Sequence, residues 1–217
     1  MTNKTIAIFN HKGGVGKTTT TVNLGACLAL SHHQRVLVID LDPQANATRA
    51  LLATDLPEEQ PTVKDWLLGF EHSAPVTKSC VEQLELVPAD LSLSEVAFGI
   101  AQRPGRDTLL RTALASLTDG CDFVLIDCPP SLGPLALNAL AAADAVIVPC
   151  ETQYLSLRGL SHVFDLVRLV QDKLNPSLHV LGVLPTKFHV LSLANHESLR
   201  YMRQQSKFHV FNVVIPR

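Results

Sequence analysis

Several features that define other classes of protein are missing from this sequence of 217 residues. No run approaches the ~20 apolar residues of a membrane-spanning helix, and no N-terminal segment joins basic residues to an apolar stretch as an export signal does. The five cysteines have no pair spacing typical of a metal site, and several lie in apolar runs. We therefore expect buried free thiols rather than disulfides. Repeats, low-complexity tracts and linkers are also missing, which predicts one cytoplasmic domain over residues 1–217.

The composition is that of a folded globular chain, with 47% hydrophobic and 18% charged residues. A net charge of −2 conceals an asymmetry along the chain. Residues 1–157 hold 10 lysines and arginines against 17 aspartates and glutamates, whereas residues 158–217 hold 8 against 3. The basic C-terminal part is either a surface that binds a polyanion or a solvated face, and charge alone leaves both open.

Short apolar, β-branched runs alternate with segments of helical length. This alternation predicts an α/β fold, a mostly parallel twisted sheet with helices on both faces. The predicted strands are Thr5–Phe9, Val36–Asp40, Leu84–Val87, Phe123–Asp127, Ala145–Val148, Val180–Leu184 and Val210–Ile215. The predicted helices are Lys17–Ser31, Thr62–Leu68, Leu93–Gln102, Thr108–Leu117, Leu135–Ala142, Leu157–Leu174 and Leu193–Gln205.

The most informative segment lies between the first strand and the first helix. There a short apolar run gives way to glycines, and then to a lysine and threonines that open a helix. Glycines let the backbone adopt positive φ and approach an anion closely. The N–H groups of such a loop wrap the phosphates of a nucleotide, the lysine neutralises the outer phosphates, and a threonine hydroxyl ligates magnesium. The segment therefore predicts a P-loop that binds a nucleoside triphosphate and Mg²⁺.

The loop departs from the common pattern, because His11 stands where the first glycine would be and a second lysine, Lys12, follows it. The sequence Lys-Gly-Gly-Val-Gly-Lys-Thr-Thr at residues 12–19 resembles the deviant Walker A loop of the ParA/MinD group of ATPases. The resemblance implies ATP as the nucleotide, and a Lys12 that reaches the nucleotide of a second copy across a dimer interface. The nucleotide-binding residues that it implies in the loop are Lys12, Gly13, Gly14, Val15, Gly16, Lys17, Thr18 and Thr19.

Three carboxylates follow two further strands. Asp40 and Asp42 come at the carboxyl end of the second strand, where doubly wound sheets bind ligands, and the alternation of side chains points both the same way. Asp127 ends a buried strand, which holds a carboxylate beside magnesium. Asp-x-Asp-Pro-Gln at 40–44 and Asp-x-Pro-Pro at 127–130 resemble the second and third signatures of the group. The resemblance implies three catalytic residues, Lys12, Lys17 and Asp42, of which Asp42 orients the attacking water. It also implies that the metal is held by Thr18, Asp40 and Asp127.

The C-terminal part carries two further expectations. The resemblance places the adenine near Thr186 and around Pro216 and Arg217, although a plain loop at these positions is an equal alternative. Members of the group continue through a loop to a final helix, so we expect either a short member or one whose C-terminal loop and helix are missing. No helix-turn-helix domain precedes the first strand, so we do not expect operator-specific repression.

The resemblance is strongest to the ParA/Soj type of partition ATPase that lacks an N-terminal DNA-binding domain. The leading hypothesis is an ATPase that dimerises on ATP, binds DNA non-specifically on the nucleoid and segregates a plasmid, a chromosome or another cargo. A ParB-like partner would stimulate its hydrolysis. The candidate DNA contacts are Lys187, Arg200, Arg203 and Lys207. The alternatives are a MinD-like switch on a membrane surface and a metabolic or cofactor-loading enzyme on the same scaffold.

Overall fold

The computed structural model describes residues 4–100, 105–115, 117 and 120–217. Within them, seven strands form one sheet in the order β3-β4-β2-β5-β1-β6-β7. The strands are β1 (Lys4–Ile8), β2 (Val36–Asp40), β3 (Thr77–Lys78), β4 (Leu84–Val87), β5 (Phe123–Asp127), β6 (Ala145–Glu151) and β7 (His179–Thr186). The helices are α1 (Lys17–His32), α2 (Asn46–Leu51), α3 (Val63–Leu68), α4 (Leu93–Ile100), α5 (Leu109–Leu114), α6 (Pro134–Ala142), α7 (Tyr154–Lys173) and α8 (Leu193–Gln205).

The sheet is parallel except for the short β3, which pairs antiparallel with β4. Its central strands β1, β2 and β5 are mostly apolar because both faces of the sheet are covered, and β2 and β5 each end on an aspartate. Along β1, Ile6 and Ile8 face a core that α1 and α2 close, whereas Ala7 belongs to a larger core that α3 to α8 cover from the other side. The predicted fold class, a mostly parallel sheet with helices on both faces, is confirmed.

Six of the predicted strands are present, and β2, β4 and β5 begin and end at the predicted residues. Two elements were not predicted, the six-residue helix α2 and the two-residue strand β3, and both are too short to show a period in the sequence. The predicted helix Leu93–Gln102 is present to Ile100, and its last two residues lie outside the described part of the chain. The predicted helix Thr108–Leu117 is shorter and ends at Leu114.

The prediction of a strand over Val210–Ile215 is wrong. This segment runs beside β7 but bends at Asn212, so within it only Val210 forms a bridge, to Val183 of β7. Pro216, just after the segment, forms a second bridge with Phe188, beyond the end of β7. Its bonds to the β7 side fall on either side of the bend: Phe211 N–H donates to the Val183 carbonyl and Ile215 N–H to the Pro185 carbonyl. The β-branched residues favour extended backbone, but the bend prevents a continuous ladder.

The five cysteines, all of which the structure describes, form no disulfide, as expected. Only Cys128 and Cys150 are buried, however, and Cys27 and Cys80 are exposed, so the expectation that the thiols are buried holds only in part. Burial raises the pKa of the Cys150 thiol to about 12, and burial likewise raises the pKa of Cys128. Both buried thiols are therefore protonated and unreactive. Among the described residues, no helix is long and apolar enough to cross a bilayer.

Candidate functional site

The glycine-rich loop connects the carboxyl end of β1 to the N-terminus of α1. Gly14 has φ +70° and Gly16 φ +91°, both in the left-handed region that glycine adopts without strain. Gly16 precedes α1 with no side-chain cap, and the first turn of this helix holds no acidic residue. The first N–H groups of a helix lack intrahelical acceptors and carry a partial positive charge. The loop and helix together therefore form a cradle for phosphate groups.

Lys17, the first residue of α1, lies inside this cradle and is only 6% exposed. Its Nζ donates a hydrogen bond to the carbonyl of Lys12, 3.0 Å away. Burial lowers the pKa of the ammonium group, and the negative charges of Asp127 and Asp42 partly offset this effect. A desolvated ammonium that is held over the loop is well placed to pair with a phosphate.

Asp127, at the end of β5, lies directly behind the first turn of α1. Its Oδ2 accepts a hydrogen bond from Thr18 Oγ1 at 2.7 Å, and its Oδ1 accepts one from Thr21 Oγ1 at 3.0 Å. Burial raises the pKa of Asp127 to about 7, and the charge of Asp40 adds to the effect. A threonine hydroxyl beside a buried carboxylate is the hard oxygen donor set that Mg²⁺ prefers, so these residues fit the predicted metal.

The structure places Asp40 and Asp42 differently, although they follow the same strand. Asp40 is fully buried, and its Oδ2 accepts from both the N–H and the Oγ1 of Thr48, each at 2.8 Å. Burial raises the pKa of Asp40 to about 6. Asp42 instead lines the cavity next to the loop, where its Oδ1 accepts from the Gln44 N–H at 2.9 Å. Thr48 was missed in the sequence, where no pattern marks it, because α2 was not predicted.

A cavity of about 460 Å³ opens over the loop, a size typical of small-ligand sites. It brings together most of the nucleotide-binding residues predicted from the sequence, and Asp42. The residues that line it are Gly13, Gly14, Gly16, Lys17, Thr18, Thr19, Asp42, Gln44, Asn46, Pro130, Thr186, Lys187, Ile215, Pro216 and Arg217. The predicted loop residues Lys12 and Val15 do not line it. Gln44, Asn46 and Ile215 were not predicted as site residues.

Thr186, predicted near the adenine, is 1% exposed, and its side chain is bonded to the loop. Its Oγ1 donates to the Val15 carbonyl at 2.7 Å. Its methyl carbon lies 3.7 Å from the position that a Cβ on Gly16 would take. Thr186 therefore supports the phosphate loop from the end of β7, and this role does not depend on a contact with the adenine.

The second lysine of the loop lies at the rim of the site. Lys12 has a side chain that is 43% exposed, and its Nζ is 3.2 Å from Glu151 Oε2. Asn10, before it, accepts the Lys12 N–H through Oδ1 at 3.0 Å and thereby fixes the turn. The two lysines thus differ: Lys17 is buried in the cradle, whereas Lys12 extends away from it.

The four candidate DNA contacts do not lie on one element. Arg200 and Arg203 are exposed on α8, and Lys207 is exposed just after it. Lys187 lies instead at the nucleotide cavity, with its Nζ 3.8 Å from the position that a Cβ on Gly14 would take. The structure therefore separates Lys187 from the basic residues of α8.

One protein family and several known proteins are similar to this chain in sequence. A sequence model of a family described as "AAA domain" matches residues 3–180. The chain is similar to the sporulation initiation inhibitor protein Soj of Bacillus subtilis, with 41% identity over 215 residues that cover 99% of this chain and 84% of that protein. It is also similar to the chromosome-partitioning ATPase Soj of Treponema pallidum, with 39% identity over 99% of this chain and 83% of that protein.

Among solved structures, the chain superposes on a protein of Mycobacterium smegmatis described as cobyrinic acid a,c-diamide synthase with bound ATP analog and magnesium. The TM-score is 0.93 and the identity 37%, and the superposition covers 100% of this chain and 88% of the other.

Proposed function

Because this chain belongs to the family described as "AAA domain" and to the ParA/MinD group of deviant Walker A ATPases, we propose that it is a dimeric ATP-driven switch. It is a partition-type ATPase, and ATP and Mg²⁺ are its cofactors. On ATP binding, two copies associate, bind DNA without sequence preference and move or position a cargo such as a plasmid or a chromosome. Hydrolysis, stimulated by a ParB-like partner, then separates them.

The different positions of the two lysines in the loop support the proposed dimer. The loop holds two lysines, of which Lys17 already occupies the cradle while Lys12 extends from its rim with a partly exposed side chain. Phosphoryl transfer depends on positioning and on neutralising charge, and a cation supplied by a second molecule is a known means of doing so. In this proposal Lys12 supplies that cation to the nucleotide of the second copy, and its position outside the cavity of its own chain supports this role.

The remaining residues have separate tasks in this proposal. The loop amides and Lys17 hold the β- and γ-phosphates, and Asp42, at the cavity wall, orients the attacking water. Thr18 and Asp127 would hold Mg²⁺, which supplies positive charge to the phosphate oxygens. The metal role of Asp40 stays a prediction. The hydrogen bonds of Asp40 support a second role, because its Oδ1 accepts from the Asp42 N–H and its Oδ2 accepts from the Thr48 N–H in the first turn of α2.

Light scattering during gel filtration tests the dimer. With the slowly hydrolysed analog ATPγS and Mg²⁺, we expect the wild type to elute at twice the mass of the nucleotide-free chain. Lys12→Ala should remain monomeric although it still binds nucleotide. The exposed Lys78 of β3 is a matched control, and Lys78→Ala should dimerise normally. A wild type that stays monomeric when saturated with ATPγS would refute the proposal.

DNA binding rests on the exposed arginines of α8, on the basic C-terminal part of the chain and on the partition-type relatives. Contacts to phosphates carry no sequence information and weaken steeply with salt. We expect ATP-dependent binding to any duplex in a filter assay at low salt. Arg200→Ala/Arg203→Ala should lower the affinity for DNA. It should also make the slope of log K against log salt shallower by about two if both arginines contact phosphates. Binding that is indifferent to these changes would reject α8 as the DNA surface.

A further inference from the structure

One carboxylate at the rim of the site faces two lysines that come from different elements. Glu151 ends β6, and its Oε2 lies 3.2 Å from the Nζ of Lys12. Its Oε1 lies 4.0 Å from the Nζ of Lys187. The side chain of Glu151 is 14% exposed, against 43% and 44% for the two lysines. Each oxygen of one nearly buried carboxylate thus has its own cation.

The position of Lys187 follows from the sheet. Glu151 and Thr186 are register partners on β6 and β7, so the residue after Thr186 emerges beside the glutamate. Lys187 has φ +51°, a left-handed conformation that is uncommon for a residue other than glycine and that the surrounding structure must hold in place. Its backbone therefore fixes the direction in which its side chain leaves the strand, toward Glu151 and the glycine loop.

We propose that Glu151 retains Lys12 within its own chain before dimerisation, and that Lys187 becomes the partner of Glu151 when Lys12 moves to the second copy. The inference rests on the proposed function, because it assumes that Lys12 acts across the dimer. In this proposal Lys12 leaves Glu151 when it reaches the nucleotide of the other chain. A carboxylate that is largely removed from water is costly to leave without a cation. Lys187 needs to move by only about 1 Å to reach the length of a normal charged hydrogen bond.

Glu151 and Lys187 are therefore positioning residues with opposite effects on the same step. Glu151 opposes release of Lys12, whereas Lys187 eases it by pairing with the carboxylate left behind. A partly exposed ion pair changes an equilibrium by up to about fivefold. Since a symmetric dimer requires the release of two lysines, the dissociation constant of the dimer changes by the square of that factor, up to about 25-fold.

The test measures dimer dissociation by analytical ultracentrifugation with saturating ATPγS and Mg²⁺. Glu151→Gln preserves the size of the side chain and should tighten the dimer by about 5- to 25-fold. Lys187→Met preserves the length of the apolar stem and should weaken the dimer by a similar factor. The double variant should behave as Glu151→Gln does, because Lys187 has no role once the carboxylate is gone. Asp122→Asn, which removes a more exposed ion pair with Arg35, is the control and should change nothing.

Other outcomes of these dissociation measurements would contradict the proposed exchange of partners. If Glu151→Gln leaves the dimer of an otherwise dimerising protein unchanged or weakens it, Glu151 does not retain Lys12 and this inference alone is wrong. If Lys187→Met weakens the dimer equally with and without Glu151, and also lowers ATP affinity in the Lys12→Ala monomer, Lys187 contacts phosphate and no exchange of partners occurs. A wild type that never dimerises would refute the proposed function and this inference with it.

Discussion

The bond between Thr186 and the phosphate loop permits a quantitative test of how the nucleotide site is held. Thr186→Val keeps the shape of the side chain and removes only the hydroxyl, which donates to the Val15 carbonyl at 2.7 Å. Both residues are at most 1% exposed, so water cannot replace the lost donor. An unpaired buried carbonyl costs about 1–3 kcal/mol. For a domain of this size, a loss of about 2 kcal/mol lowers Tm by about 4–8 °C.

The substitution should also weaken nucleotide binding, because the loop loses the bond that fixes it in the phosphate-binding conformation. If about 1 kcal/mol of the loss must be recovered on binding, the Kd rises about fivefold. Isothermal titration with ATP and with GTP separates the two roles of Thr186. A brace acts on the phosphates, so both nucleotides should lose affinity by the same factor. Thr112→Val, on the exposed side of α5, is the control and should bind normally.

Either of two results would contradict the bracing role of Thr186. Loss of ATP affinity with unchanged GTP affinity would mean that Thr186 contacts the adenine. Unchanged stability and unchanged affinity would mean that the hydroxyl bond does not support the loop.

Two further substitutions test the packing around the site. Thr48→Val removes a buried hydroxyl that donates to Asp40 and accepts from the Ala89 N–H. Urea unfolding should therefore show that the free energy of unfolding falls by about 2–4 kcal/mol. A fall below about 0.5 kcal/mol would contradict the role given to this hydroxyl. Gly182→Ala would place a Cβ 2.9 Å from the His209 carbonyl, and calorimetry should show a lower Tm, because the chain beside β7 must shift. The matched Gly99→Ala, with no atom within 4 Å of its Cβ in α4, should raise the Tm slightly.

The core of the site could be predicted because its signals are local. The glycines, Lys17 and Thr18 are contiguous, and the transition from an apolar run to a helix places them at the end of a strand. Asp42 and Asp127 follow apolar runs of strand length, and parallel strands bring their carboxyl ends to one edge of the sheet. Such residues can therefore be identified without knowing how the rest of the chain folds.

Other features depend on partners that are remote in sequence. Thr186 bonds to Val15 across 171 positions, and Lys187 reaches Glu151 only because β6 and β7 pair in one particular register. The sequence could not distinguish Lys187 from the basic residues of α8, since a lysine carries the same charge wherever the chain places it. Likewise, the β-branched run at 210–215 predicts extended backbone but not whether a neighbouring strand is available along its whole length.

The fold class, the phosphate loop and the carboxylates around it could therefore be predicted from local sequence, since strand period, glycine conformation and the order of strand and helix act over a few residues. The folded chain was needed to show which groups support that loop, that Asp40 is bonded behind the site while Asp42 lines it, and that Lys12 and Lys187 share one glutamate. Those assignments depend on distances between segments far apart in the chain, and packing and strand register set such distances.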